Sequence, residues 1–82
     1  MAHRVNLEVG RNIKNHGYYR GLNTWIIVDG SITIDELYTR AEKRAKDLCV
    51  KRGEEFVEVI INGIQKDYAG SQDTSPLGIE LP

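Results

Sequence analysis

The stretch EFVEVIINGIQKDY, residues 55–68, decides how many strands this chain forms. Its Asn62-Gly63 pair can take both positive-φ positions of a type I′ turn, and apolar, β-branched residues flank it on either side. The pattern predicts a hairpin in which Ile61 faces Ile64, Val59 faces Lys66 and Val57 faces Tyr68. Side chains alternate along a strand, so Val57, Val59, Ile61, Ile64 and Tyr68 share one face. That face is expected against a helix.

The helix comes immediately before. Thr33-Ile34-Asp35-Glu36 fits a capping box, with Thr33 as N-cap and Glu36 at the third helical position. Ile32 and Leu37 stand where a hydrophobic staple would fix the entry of the chain, and Gly53 suits a left-handed stop. A helix over about 34–52 follows. At about 100° per residue, Ile34, Leu37, Tyr38, Ala41, Ala45, Leu48 and Cys49 fall within one sector, the expected core stripe. Leu48 is expected to be fully buried against Val57, Val59 and Ile61.

Further upstream, Val5, Leu7 and Val9 alternate with Arg4, Asn6 and Glu8, the period of a strand with one buried face. NHG at 15–17 reads as a turn, and the aromatic and β-branched run from Tyr18 to Val28 closes at Asp29-Gly30. These segments predict a first hairpin, 3–14 with 18–28, and Gly21 marks a bulge in its second strand. The expected fold is α+β, a two-layer sandwich of order ββαββ, with an antiparallel sheet of two hairpins packed on one amphipathic helix. The single domain spans 1–70, and 71–82 is a polar, flexible C-terminal tail in which GIEL could add a short strand.

Composition narrows the function. Eighty-two residues with 40% apolar and 28% charged content are those of one globular domain. The net charge of −1 removes overall basicity as an argument for nucleic acid, leaving only a local patch. The one cysteine cannot form an intramolecular disulfide, no apolar run reaches the ~18 residues of a membrane span, and the alternating start lacks a secretory core. A soluble, cytoplasmic protein without membrane association is expected.

Two clusters could make contacts. Six Lys and Arg lie between Arg40 and Arg52, and Arg40, Arg44 and Lys51 line one edge of the helix stripe, with Lys43 just beyond. Glu36–Arg40, Glu42–Lys46 and Asp47–Lys51 are also favourable i,i+4 pairs, so helix electrostatics explain much of this composition. The strip Arg40, Lys43, Arg44 and Lys51 remains a candidate for nucleic acid or for an acidic protein partner. In NHGYYRG, residues 15–21, Tyr18, Tyr19 and Arg20 supply the residue types of protein-interface hot spots. Adjacent tyrosines on a strand point to opposite faces, one buried and one exposed. His3 and His16 do not stand at metal-ligand spacing from Cys49 or a carboxylate cluster, Cys49 reads as a small core residue, and no catalytic constellation or phosphate loop is present. No enzyme activity, cofactor or metal is expected.

A helix ending at Gly53, followed by EEFVEVIINGIQKDYAGS, resembles the C-terminal half of small bacterial ββαβ proteins, which place a Glu-apolar strand, a Gly turn and a Tyr-Gly after their helix. Over residues 33–71 the layout is also similar to that of several phage-encoded anti-CRISPR proteins. That resemblance implies a short, non-enzymatic inhibitor. The expected function is therefore a small binding module acting by protein–protein contact. Nucleic-acid binding through the helix edge is one alternative, and a homodimer paired through sheet edges is another.

Overall fold

The computed structural model describes residues 2–66. Strand β1 (Ala2–Ile13) and strand β2 (Gly17–Asp29) form the first hairpin, helix α1 (Ile34–Arg52) follows, and strand β3 (Glu55–Gln65) closes the described chain. The order is ββαβ, and the antiparallel sheet has three strands in the order β2-β1-β3. The α+β class stands, but the second hairpin does not form. Tyr68 and the tail 71–82 lie outside the described residues.

Asn62-Gly63 lies inside β3 instead of turning the chain. Leu7 pairs with Ile61 and Val5 with Ile64, so β3 carries one more residue than β1 across this step. Gly63, at φ 143°, absorbs the excess as a bulge. The residues that favour a tight turn favour a bulge for the same reason, their tolerance of positive φ. What selects between them is remote in sequence: β1 has a second edge to pair, and a continuous β3 runs along it from Asn12 to Arg4. A further register shift leaves Val57 between Phe56, which pairs with Arg11, and Glu58, which pairs with Gly10. Val57 and Ile64 are consequently exposed, while Val59 and Ile61 pack on the core.

The helix forms over the expected span. Thr33 Oγ1 accepts from the Glu36 amide at 3.1 Å, and Ile32 packs with Leu37 in the core cluster as a staple requires. At the other end Gly53 adopts φ 72°, its N–H donating to Val50 O while the Glu54 N–H donates to Cys49 O. The buried stripe is narrower than the sequence suggests: Leu37, Ala41, Ala45 and Cys49. Leu37 and Ala41 pack with Val5, Leu7, Ile26 and Val28, whereas Ala45 and Cys49 pack with Val9 and Leu22. Ile34 and Tyr38 lie exposed. Leu48 is half-buried instead of fully buried, packed with Val59 on the Val9 cluster, while Val57 is exposed and lies outside that cluster. The two alanines bring the helix close to the sheet, so four positions suffice to cover it.

A buried arginine joins the layers. Arg11 is 8% exposed and stands where both neighbours of β1 shift register, at the Gly21 bulge of β2 and the Val57 bulge of β3. Its Nη1 donates to the carbonyls of Tyr19 (3.4 Å) and Arg20 (3.2 Å), and its Nε donates to Glu54 Oε1 at 3.1 Å. Glu54 also accepts from Arg52 Nε at 3.0 Å, which binds the end of α1 into the same cluster. Removing one member of a buried pair leaves the other charged and desolvated, so Arg11→Ala should cost about 3–5 kcal/mol in urea denaturation. The double change Arg11→Met with Glu54→Leu should cost less than either truncation alone.

Candidate functional site

Helix α1 covers the sheet face formed by Val5, Leu7 and Val9. Arg4, Asn6 and Glu8 alternate with them and point the other way. Ile27, Trp25 and Asn23 stand opposite these three on β2, Ile60 stands opposite Glu8 on β3, and Glu58 stands opposite Gly10. Among the described residues no element packs over this outer face.

Its side chains are held in place. The Arg4 guanidinium carbon lies 4.6 Å from the centroid of the Trp25 ring, a cation–π distance, while Arg4 Nε donates to Asn6 Oδ1 at 3.1 Å. Beside this pair a shallow hollow of about 320 Å³ is lined by Arg4, Asn6, Asn23, Trp25 and Asn62, so amide donors and acceptors surround an aromatic surface. Arg20 Nε lies 3.5 Å from Glu8 Oε2. Tyr18 crosses the central strand over Gly10 and donates its hydroxyl to the Glu58 carboxylate on β3. A Cβ on Gly10 would stand 2.6 Å from that hydroxyl oxygen and 2.9 Å from Glu58 Cγ, so the crossing needs a glycine there. The hydrogen bond to Glu58 holds the Tyr18 phenol above its ordinary pKa, with desolvation and the carboxylate's charge adding to it.

Tyr18, Tyr19 and Arg20 do not form one cluster. Tyr18 and Arg20 belong to the outer face, but Tyr19 pairs with Arg11 on the helix side of the sheet, beyond the last turn of α1. Both tyrosines are exposed, at 45% and 47%, so the expected buried partner does not exist. The Gly21 bulge, with φ 95°, inserts an extra residue and brings Tyr19 to the sheet's end, where no core remains to receive it. Trp25 is the residue whose role sequence reasoning missed. It sits within the apolar run TWIIV, but alternation from buried Thr24, Ile26 and Val28 assigns it, with Ile27, to the outer face.

The helix edge is a separate surface. Lys43 Nζ pairs with Asp47 Oδ2 at 3.0 Å, and Arg40 Nη2 reaches the Ile27 carbonyl at 3.5 Å. Arg40, Lys43, Arg44 and Asp47 line a groove of about 290 Å³ with Ile26 at its base, while Lys51 lies exposed near the end of the helix. Among the described residues no group of three or more His, Cys, Asp or Glu could hold a metal ion, and no helix is long and apolar enough to cross a membrane. Cys49 is buried in the core, and that burial pushes its thiol pKa up.

Comparison with family models, curated proteins and solved structures finds no match to this chain. The outer face therefore stands on its own geometry. Glu58→Gln removes the charge that disfavours Tyr18 ionisation and replaces the carboxylate acceptor with a weaker, neutral amide oxygen, so the Tyr18 phenol should titrate at lower pH than in the parent. Difference absorbance during alkaline titration measures this, and an unchanged profile would show that Tyr18 and Glu58 do not meet in solution.

Proposed function

We propose that this chain is a non-enzymatic binding module that occupies a surface on a partner protein through the outer face of its sheet. The observation that supports it is a face over which no described element packs, carrying Trp25 under Arg4, with Tyr18 and Arg20 along the same face. Tryptophan, tyrosine and arginine give the largest contributions at protein interfaces, and side chains already fixed lose little freedom on binding. The face also balances its charge, Arg4 and Arg20 against Glu8 and Glu58, which suits a mixed protein surface better than a phosphate backbone. An inhibitor encoded by a phage, of the anti-CRISPR kind, is one specific form of this reading and draws on the likeness of layout.

Nucleic-acid binding through Arg40, Lys43, Arg44 and Lys51 is less favoured, because Asp47 pairs with Lys43 within the strip. Pairing of sheet edges into a homodimer has a candidate in β3, but two bulges interrupt that edge and bulges work against strand addition.

Affinity purification from the native host, followed by measurement of binding to the recovered protein, tests the proposal. Tyr18→Ala with Arg20→Ala should weaken binding about thirtyfold or more, roughly 2 kcal/mol, with little change in melting temperature. Unchanged affinity with an intact fold would exclude the outer face as the contact. Retardation of duplex DNA, single-stranded DNA or RNA, with a log–log salt slope near −3 to −4 on duplex DNA, would favour the helix strip instead.

A further inference from the structure

The outer face of the sheet carries its charges in a symmetric pattern. Asn6 pairs with Trp25, and this row lies midway between the row of Arg4 with Ile27 and the row of Glu8 with Asn23. All of these side chains belong to the face over which no described element packs. Cation and carboxylate therefore stand on β1 at equal distances on either side of Asn6, ~6.7 Å each way. A two-fold axis lying in the plane of the face and crossing the strands at Asn6 and Trp25 sets β1 on β1 of a second copy, running the other way. Arg4 of each copy then stands opposite Glu8 of the other, Ile27 opposite Asn23, and Trp25 opposite Trp25.

Charge selects this axis over the other one in the plane. A two-fold along the strands would stack Arg4 on Arg4 and Glu8 on Glu8. Arg4 keeps its place over Trp25, and Glu8 its pairing with Arg20, so opposite potentials meet without either charge leaving its own chain. Sheets pack face to face at about 30°, which at Arg4 and Glu8 displaces the opposed rows by only ~3–4 Å. The area is also sufficient. Strands of 12, 13 and 11 residues give a face about 40 Å long and about 14 Å wide. Two such faces bury roughly 1,100 Å² in all, at the lower end for a specific interface. We propose that the outer face docks on the outer face of a second copy of this chain, forming a two-fold dimer with Asn6 and Trp25 at its centre. This rests on the reading of that face as a protein-contact surface and names its occupant when no other protein is bound. A foreign partner binds there in competition with the second copy.

Sedimentation velocity of the full chain should show a monomer–dimer equilibrium with a dissociation constant of about 10–100 μM, weaker as salt rises. Trp25 is the one tryptophan of the chain, so its emission should shift to the blue as concentration rises through that range. Arg4→Glu and Glu8→Arg each set like charges across the axis, and each should weaken the dimer about tenfold or more. Mixed one to one, the two variants again place opposite charges across the axis at both positions. The mixture should therefore associate about tenfold more tightly than either variant alone. Should a variant fail to fold, sedimentation and emission of the parent chain still decide the matter. A parent that stays monomeric at about 1 mM, a dimer whose Trp25 emission does not move, or a mixture as weak as its components would overturn the proposal. Those outcomes leave contact with a foreign protein to its own test, the response of the recovered partner's affinity to Tyr18→Ala with Arg20→Ala.

Discussion

The structure depends on how β1 is matched to two neighbours that both change register at the same level. Bulges on β2 and β3 free backbone groups beside Gly10 and Arg11, and carbonyls left unpaired away from water would be costly. Arg11 answers this with one side chain, donating to two carbonyls of β2 while Glu54 balances its charge. Glu54 is available because Gly53 turns the chain sharply at the end of α1. The helix stop, the buried ion pair and the two bulges are thus one arrangement, each part needing the others.

The same arrangement divides the surface. Gly10 gives the outer face a position with no side chain, and Tyr18 uses that space to reach Glu58 across the sheet. On the covered side the small residues Ala41 and Ala45 let the helix lie close, with a basic flank toward Ile26 on β2 and Lys46 over Phe56 toward β3. Among the described residues, one helix on a three-stranded sheet leaves one sheet face and two strand edges without a packed element.

Local chemistry made much of this legible. Thr33 and Gly53 bound the helix because caps satisfy backbone groups within a turn of themselves, and NHG and Gly21 were readable from positive φ alone. Asn62-Gly63 was not, because a turn and a bulge make the same local demand and only the unpaired edge of β1, some fifty residues earlier, decides between them. The site divided similarly. Arg20 and Tyr18 were recognisable as contact residues, but the bulge that separates them from Tyr19 acts through register. Trp25 was hidden inside a run that reads as continuous core until its alternation against Thr24 and Ile26 is followed. Arg11 falls between Val9 and Ile13 in the alternation of β1, but a charged side chain at that position does not by itself read as buried, because its partner Glu54 lies far along the chain.

The central place of β1 also sets an order of assembly. β1 is synthesised before the other described elements, yet one of its two edges is satisfied by β3, the last strand among the described residues. The hairpin with β2 and the helix can form from neighbouring residues, whereas joining Val5 to Ile64 closes a loop of nearly the entire domain. During synthesis the first strand therefore waits with one edge open and with Val5, Leu7 and Val9 not fully covered. A slip of β3 by one residue would turn Val59 and Ile61 from the core to the outer face, which holds its docking to one register. The apolar side chains that β3 turns toward the helix are thus what makes its late arrival selective.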